Sequence, residues 1–254
     1  MNVPIVSVII PAYRCEATIA ASIESALMQD VDLEVLVVNN DKNNSALASV
    51  LHNYDENERV HVLITRENIG AAKGRNLGVK HAKGDYIAFL DADDMWTEGK
   101  LKEQLALLAQ TNAPICCTAR ELIRRNGSST GRIIPVGSRI SYRNLLSHNS
   151  INCSSVLLPR KIALEFPMEH EEAHEDYITW LKIVKKYGDA VGINKPMLKY
   201  RLSNTGKSGS KLQSAKMTYL VYRYAGYNVV AASFFFVQYA LHGVLKYLFA
   251  KKKC

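Results

Sequence analysis

The stretch of sequence that decides the fold is Gly84-Asp85-Tyr86-Ile87-Ala88-Phe89-Leu90-Asp91-Ala92-Asp93-Asp94. Its short apolar run predicts a buried strand, and the strand ends in three carboxylates within four positions. Strand ends deliver side chains to the crevice in which open α/β sheets bind ligands. Crowded carboxylates repel one another unless a cation or solvent offsets them, and Mg²⁺ often takes one or two carboxylates together with substrate phosphates. The stretch therefore predicts a metal–phosphate site. A second interpretation is a solvated turn in which Asp94 or Thr97 caps the next helix.

The strands and helices of the first half alternate, which indicates four consecutive β-α units. The apolar patterns predict strands over residues 6–10, 33–38, 60–65 and 86–90, each followed by a helix, over residues 18–29, 45–54, 70–82 and 97–111. Such alternation is typical of an α/β fold whose mostly parallel central sheet has helices on both faces.

The second half is less regular. Its patterns predict strands over residues 115–118, 156–158 and 197–202, a helix over 174–187, a turn at 126–129 and a Gly/Ser-rich loop over 203–210.

Charge is distributed unevenly along the 254 residues. The net charge is +8, yet no acidic residue follows Asp189, so the end of the chain is purely basic. Such a segment is typical of proteins that bind an anionic partner. The length suffices for one domain with an appendage.

The C-terminal segment is predicted to be an amphipathic helical appendage over residues 219–254. Residues 224–245 carry no charge, and Val230, Phe234, Val237 and Leu241 form one helical stripe that is followed by lysines at 251–253. We expect this helix to lie on an anionic membrane surface. Docking on the body or on a second copy in a homodimer, and a membrane span, are the alternative interpretations.

The five cysteines are scattered and show no Cys-x-x-Cys spacing, which we interpret as reduced thiols. No signal-peptide pattern precedes the first predicted strand. We therefore expect a cytoplasmic protein. The zinc-protease pattern His170-Glu171-Glu172-Ala173-His174 lacks its usual continuation, because Tyr177 and Trp180 replace the expected glycine and histidine.

Several motifs, in order along the chain, resemble those of family-2 glycosyltransferases, which have the GT-A fold. They are Ser7-Val8-Ile9-Ile10-Pro11-Ala12-Tyr13, Asn68-Ile69-Gly70-Ala71-Ala72-Lys73-Gly74-Arg75-Asn76-Leu77-Gly78, the opening stretch 84–94, His174-Glu175-Asp176-Tyr177-Ile178-Thr179-Trp180-Leu181 and Tyr200-Arg201-Leu202. The resemblance covers about residues 3–218 and is closest to bacterial enzymes that build capsule, O-antigen or teichuronic-type polysaccharides. It implies a glycosyltransferase domain over 1–218, with a nucleotide-binding half (1–112) and an acceptor half (113–218).

The resemblance also implies a reaction. One sugar would pass, with inversion, from a nucleotide donor, taken to be a UDP-sugar, to a hydroxyl of a lipid-linked glycan at the inner face of the cell membrane. Asp93 would hold Mn²⁺ or Mg²⁺, with Asp91 directed to the metal or the ribose, and Asp94 would lie behind them or contact the donor sugar. Asp176 matches the family's base, and Glu175 is its neighbour.

The nucleotide-sugar contacts implied by the resemblance come from several segments. The residues are Pro11, Ala12, Tyr13, Glu16, Asn39, Asp41, Arg75, Asp91, Ala92, Asp93, Arg201 and Lys207. Two departures from the family pattern concern this set. Asn39-Asn40-Asp41 stands where the family usually has an Asp-Asp or Asp-Asn pair. Leu202-Ser203-Asn204 stands where many relatives carry a histidine after Tyr-Arg, which leaves the metal fewer protein ligands.

Two other functions remain as alternatives. A nucleotidyltransferase on a similar sheet would need a Gly-rich, Lys-containing loop where this chain has Pro11-Ala12-Tyr13-Arg14. A non-catalytic nucleotide-sugar-binding protein is the other alternative, and Asn39 and the missing histidine are its support. Nucleic-acid binding is not expected, because Tyr219, Tyr222 and their neighbouring tyrosines are spaced along a helix face.

Overall fold

The computed structural model describes residues 5–202 and 211–250, and the side chains of all these residues except 211 and 242–250. The strands of this part are β1 (Val6–Ala12), β2 (Leu33–Asn39), β3 (Val60–Ile64), β4 (Tyr86–Phe89), β5 (Met95–Trp96), β6 (Cys116–Ile123), β7 (Ser129–Ile134), β8 (Arg139–Ile140), β9 (Leu157–Pro159) and β10 (Ala190–Arg201). The α-helices are α1 (Ile19–Leu27), α2 (Ser45–His52), α3 (Gly70–His81), α4 (Lys100–Thr111), α5 (Tyr142–Ser147), α6 (Arg160–Glu165), α7 (Glu175–Tyr187), α8 (Lys211–Tyr224) and α9 (Val229–Ala250). A 3₁₀ turn spans Cys153–Ser155.

The ten strands form one sheet in the order β3-β2-β1-β4-β9-β6-β10-β5, with β7 paired to β6 and β8 to β10. The strands β3, β2, β1 and β4 are parallel, because a helix crosses over between each of them and the next in sequence. Beyond β4 the sheet is mixed, since β9 is antiparallel to both β4 and β6, whereas β6 and β10 are parallel. The expected α/β class with a central sheet is confirmed; the sheet has a continuous parallel part from β3 to β4 and a second parallel pair, β6 and β10.

Two apolar cores cover the two faces of the sheet. Alternate residues of β1 point to opposite faces, as the strand period requires, so that Val8 and Ile10 join one core and Ile9 the other. The first core contains the apolar residues of α1, α2 and α4, and the second contains those of α3 and α5 to α9. The expected helices on both faces are therefore present.

Helix α3 lies unusually close to β1. A Cβ atom on Gly78 would lie 2.4 Å from Cγ2 of Ile9, so only glycine allows this approach. The approach carries the family-like residues of α3 that precede Gly78, among them Arg75, to the edge of the sheet where β1 and β4 end.

The helix after the aspartate cluster begins later than the sequence pattern predicts. Residues Met95–Trp96 pair with β10 as a short strand, and α4 starts at Lys100 after Gly99, whose φ is +78°. The expectation that Thr97 caps this helix is therefore wrong, because the pairing with β10 draws the preceding residues into the sheet.

The C-terminal appendage consists of two helices that are attached to the body. The predicted domain boundary at residue 218 falls inside α8. Tyr222 is fully buried and donates a hydrogen bond to the carbonyl of Leu146 at 2.7 Å, and Ala232 of α9 is also buried. The opposite face of α9 leaves exposed the predicted stripe of Val230, Phe234, Val237 and Leu241. No helix within residues 5–202 and 211–250 is long and apolar enough to cross a bilayer.

Candidate active site

A cleft of about 680 Å³ lies at the carboxyl ends of β1, β4 and β10. It brings together residues that are distant in sequence but were predicted to serve one site. Those that line it are Pro11, Tyr13, Glu16, Arg75, Asp91, Ala92, Asp93, Glu175 and Arg201. The strand-end position predicted for the aspartate cluster is the position observed.

The other predicted site residues lie elsewhere. Ala12 is fully buried, and Asp176 lies beside the cleft rather than in its lining. The Asn39 side chain is also buried, and its Oδ1 accepts a hydrogen bond from the backbone N–H of Asp41 at 2.8 Å. Lys207 and the predicted loop over 203–210 fall outside the described residues.

Asn40 lines the cleft where the sequence pattern favoured Asn39 and Asp41. Its Nδ2 donates to the carbonyl of Gly70 at 3.1 Å, which ties the end of β2 to the start of α3. The alternation of side chains along β2 decides which of the adjacent asparagines points to the cleft. No signal in a single sequence distinguishes them.

Arg75 joins the two sets of carboxylates in the site. Its Nη2 lies 2.6 Å from Oδ1 of Asp91, and its Nη1 lies 3.1 Å from Oε1 of Glu175. Arg75 is only 6 % exposed. Burial by itself would lower the pKa of Arg75, but the negative charges of its ion-pair partners Asp91 and Glu175 hold it well above its usual value. Arg75 is therefore a buried cation that fixes the two carboxylates relative to each other.

The three aspartates of the opening stretch have different environments. Asp93 faces the cleft, and burial, with repulsion from Asp91, raises its pKa to about 6. Asp94 is 1 % exposed, and its Oδ1 accepts the backbone N–H of Arg201 at 2.9 Å. Burial, followed by the charges of Asp91 and Asp93, raises the pKa of Asp94 well above its usual value. Asp94 thus holds β10 against the cluster, and the alternative of a solvated turn does not apply.

Arg201 forms part of the cleft wall through backbone contacts. Its Nε donates to the carbonyl of Asp93 and its Nη1 to the carbonyl of Arg125, each at 2.7 Å. These bonds fix the guanidinium beside the Asp93 carboxylate, whose pKa it lowers in part. The arrangement places positive charge where an anionic ligand of the cleft would lie.

Asp176 lies in the first turn of α7, next to Glu175. Burial, followed by the charge of Glu175, raises its pKa and Arg75 opposes both, which leaves the pKa at about 7. Near neutral pH this carboxyl group is therefore close to equal populations of its acid and base forms. Such a group is suited to accept a proton.

The segment before α7 is anchored to α3 by residues that sequence reasoning missed. Asn76 pairs twice with Met168, accepting its N–H at 2.8 Å and donating to its carbonyl at 2.7 Å. Glu171 accepts the N–H of Ala72 at 2.7 Å and so occupies the start of α3. Glu171 belongs to the zinc-protease pattern, and its observed partner is a helix N-terminus. The sequence signal that could have identified Asn76 was its position in the stretch 68–78, which resembles a motif of family-2 glycosyltransferases.

The 3₁₀ turn holds the aspartate cluster in place through a hydrogen bond to its backbone. Ser154 is fully buried, and its Oγ accepts the backbone N–H of Asp91 at 3.1 Å. Its carbonyl accepts the indole N–H of Trp96 at 2.7 Å. Trp96 and Trp180 are both buried, so neither is exposed as a platform for a sugar.

The cleft residues fit a metal ion only in part. Within residues 5–202 and 211–250, no three His, Cys, Asp or Glu side chains form a group that could hold a metal. Asp91 and Asp93 nevertheless provide two hard oxygen donors, and the repulsion from Asp91, which together with burial raises the pKa of Asp93, is one that a cation would relieve. Mg²⁺ sites commonly use one or two carboxylates and take further ligands from phosphates and water. The residues therefore fit a metal that binds together with a phosphate ligand.

Comparison with known proteins decides the family. The family model described as Glycosyl transferase family 2 matches residues 7–165, more than half of the chain. The chain belongs to glycosyl transferase family 2. The expected enzyme class is thereby confirmed over the alternatives of a nucleotidyltransferase and a non-catalytic binding protein.

Similar proteins act in bacterial polysaccharide biosynthesis. This glycosyltransferase is 32% identical over 247 residues to TuaG of Bacillus subtilis (strain 168), whose name assigns it to teichuronic acid biosynthesis; the match covers 96% of this chain and 98% of TuaG. It is 33% identical over 252 residues to the Escherichia coli UDP-Glc:alpha-D-GlcNAc-diphosphoundecaprenol beta-1,3-glucosyltransferase WfgD, covering 98% and 97% of the two chains. The expected surface-polysaccharide type is confirmed at this level.

Solved structures share the fold. Staphylococcus aureus TarS (residues 1-349, in complex with UDP-GlcNAc) superposes with a TM-score of 0.71 at 17% identity, covering 92% of this chain and 71% of TarS. The Pyrobaculum calidifontis mannosyltransferase PcManGT, in complex with GDP-Man and Mn2+, superposes with a TM-score of 0.69 at 16% identity. The match covers 99% of this chain and 76% of PcManGT. The expected GT-A fold is confirmed.

Replacing Arg75 tests the ion-pair network. We expect Arg75→Met to lower the free energy of unfolding by roughly 3–5 kcal/mol, because it leaves Asp91 and Glu175 crowded without their shared cation. Urea unfolding followed by circular dichroism measures the change. The added substitution Glu175→Gln should recover part of the loss. Arg66→Met, at an exposed position, is the control and should change stability by less than about 0.5 kcal/mol; equal effects of the two arginine substitutions would contradict the network.

Proposed function

We propose that this glycosyltransferase moves a single sugar, with inversion, from a UDP-sugar to a hydroxyl of a lipid-linked glycan. The observation that carries the proposal is the ion-pair network of Arg75, which connects Asp91 on the donor side of the cleft to Glu175 beside Asp176. Such a transfer needs a site for the departing diphosphate and one base close to it. The network holds the candidates for both at a fixed separation.

The choice of a UDP-sugar rests on relatives that cover nearly the whole chain. The names of WfgD and of WfaP from Escherichia coli both specify UDP-Glc as donor, and WfaP is 29% identical over 250 residues. In this chain, Tyr13 is 42 % exposed at the cleft and is available to pack on the base. Asn40 offers an amide beside it, and Arg201 offers a cation for the diphosphate.

A bound divalent metal ion, Mn²⁺ or Mg²⁺, would neutralise the negative charge of the diphosphate. Asp93 would hold it, since this carboxylate faces the cleft next to the carboxylate of Asp91. Asp91, which forms an ion pair with Arg75, would provide a second carboxylate for the metal. Ser154 and Asp94 would keep both carboxylates in place through the backbone bonds described above.

In the proposed reaction, Asp176 accepts the proton of the acceptor hydroxyl. The hydroxyl oxygen forms a bond to the anomeric carbon from the face opposite the UDP, and the bond from that carbon to the diphosphate oxygen breaks, so the configuration inverts. One base is enough for this reaction, whereas glycoside hydrolysis uses two carboxylates on either side of the bond. A pKa near 7 makes Asp176 basic enough to take the proton, while a substantial fraction of the group is ionised near neutral pH.

The lipid-linked acceptor and the membrane location are proposed together. The name of WfgD specifies a diphosphoundecaprenol-linked acceptor. On this chain, α9 presents the exposed stripe of Val230, Phe234, Val237 and Leu241, and the sequence continues into three lysines at 251–253. An apolar stripe next to basic residues is suited to an anionic bilayer. We therefore place the enzyme at the cytoplasmic face of the cell membrane.

Substitution of Asp93 tests the role of the metal. Asp93→Asn should weaken Mn²⁺-dependent UDP binding by at least about 10-fold, because it removes one carboxylate ligand. Isothermal titration calorimetry with UDP, with and without Mn²⁺, measures this. Asp30→Asn, on the exposed surface, is the matched control. Metal-dependent UDP affinity that survives in Asp93→Asn would show that the metal is bound elsewhere.

The pH dependence of the reaction tests Asp176. Its raised pKa means that the base form is lost as pH falls through about 7. We therefore expect kcat/KM to rise with pH up to about 7 and to level off above it. Asp176→Asn should lower kcat by roughly 10²–10⁴-fold and abolish this limb, with UDP affinity unchanged. An identical pH limb in the residual activity of Asp176→Asn would assign the base to another group.

Binding to liposomes tests the membrane proposal. The double substitution Phe234→Asp and Val237→Asp should greatly reduce pelleting with phosphatidylglycerol vesicles, because it places charge on the apolar stripe. UDP binding should not change, since both side chains are exposed and neither lines the cleft. Met28→Asp alters another exposed apolar residue and is the control. Pelleting that stays the same in the stripe variant would refute the assignment.

A further inference from the structure

A half-buried arginine of β6 has no anionic partner. Within residues 5–202 and 211–250, Arg120 forms no ion pair, and its Nε is buried without a hydrogen-bond partner. Its guanidinium carbon lies 5.7 Å from the ring centroid of Tyr200. Arg75, by comparison, is buried with two carboxylates. Arg120 is thus a partly desolvated cation whose charge is not matched by a contact.

The electrostatics of Arg120 agree with this description. Burial lowers its pKa, and the nearby groups Tyr200 and Asp94 offset this only in part. A cation withdrawn from water is stabilised when an anion binds to it. Arg120 is therefore suited to an anionic ligand.

The surroundings of Arg120 include the C-terminal helix α9. Tyr239 of α9 lies with its ring centroid 6.4 Å from that of Tyr177, the residue that follows Asp176. The Tyr239 ring also lies 6.1 Å from that of His148 at the end of α5. Burial raises the pKa of Tyr239, the charge of Asp176 raises it further, and that of Arg120 lowers it. Tyr239 is therefore close both to the proposed base and to the unpaired arginine.

Arg120 is separate from the donor cleft. It is not among the residues that line the cleft, whereas Arg75 and Arg201 are. Arg120 nevertheless lies close enough to Asp94, behind the metal-site carboxylates, for their charges to interact. Arg120 thus interacts with Asp94 of the aspartate cluster and with Tyr239 of α9, and Tyr239 in turn interacts with Asp176.

We propose that Arg120 and Tyr239 form an acceptor subsite beside Asp176, in which Arg120 binds a phosphate of the lipid-linked acceptor and Tyr239 packs against its first sugar. This inference rests on the proposed function, which supplies the phosphate-linked acceptor. The phosphate joins the sugar to the lipid, and α9 carries both Tyr239 and the exposed apolar stripe. One helix would therefore guide the sugar to the base and the lipid to the membrane.

Two soluble probes test the subsite. The first is octyl α-D-GlcNAc diphosphate, and the second is the neutral octyl α-D-GlcNAc, which differs only in lacking the diphosphate. Calorimetry is carried out on the full chain saturated with UDP and Mn²⁺, so that the donor site is filled. We expect the diphosphate probe to bind the unsubstituted enzyme at least about 10-fold more tightly than the neutral probe, as a charge-assisted contact predicts.

Substitutions then assign the contact. Arg120→Met keeps the apolar stem on Tyr200 and should remove the preference for the diphosphate probe, while Arg120→Lys should retain part of it. Tyr239→Leu should weaken both probes alike, because it removes a packing surface. Arg132→Met, at an exposed position of the neighbouring strand β7, is the control and should change nothing. Circular dichroism and UDP titration check that each variant is folded.

The outcomes separate this inference from the proposed function. No diphosphate preference in the unsubstituted enzyme, or a preference that persists in Arg120→Met, overturns the subsite. A loss of UDP affinity in Arg120→Met, with probe binding unchanged, also overturns it and assigns Arg120 to the donor diphosphate. Failure of the proposed function would appear independently, as an unsubstituted enzyme that neither binds UDP with Mn²⁺ nor hydrolyses UDP-sugars slowly without acceptor.

Discussion

The buried ion-pair network of Asp91, Arg75 and Glu175 is the constraint on which the rest of the site depends. A guanidinium that is 6 % exposed is costly unless carboxylates surround it, and each carboxylate would be costly without the guanidinium. The end of β4, the middle of α3 and the start of α7 must therefore meet. Arg75 lies 16 residues from Asp91 and 100 residues from Glu175 in sequence, so this one contact joins the two halves of the chain.

Neighbouring bonds keep that junction rigid. Asn76 holds the segment that leads into α7, and Ser154 holds the backbone of Asp91. Asp94 attaches the last residue of β10 to the same cluster. Most of these contacts join a side chain to a backbone group, and such contacts fix positions without adding charge. Charge is thus concentrated at the cleft, where a nucleotide diphosphate and a cation would offset it.

The C-terminal helices belong to the body as well as to its surface. Tyr222 and Ala232 are buried against the second core, while the outward face of α9 carries the apolar stripe. The inward face packs on the domain itself, where the ring of Tyr239 lies near that of Tyr177, the residue after Asp176. The acceptor half of the site and the surface that we assign to the membrane therefore share one element.

The sequence by itself determined the alternation of strands and helices, the α/β class and the place of the aspartate cluster at a strand end. These follow from periodicity and from motif order, which are local properties. It misplaced the start of α4 and did not predict β5, β7 or β8, because these depend on pairing with distant strands. Only the tertiary structure decided that Arg75 is a shared counterion, that Asn40 rather than Asn39 faces the cleft, that Asp94 is buried and that α9 packs on the body. Each of these depends on contacts between residues far apart in the chain, and a local pattern of polar and apolar residues carries no information about which distant partner a side chain will meet.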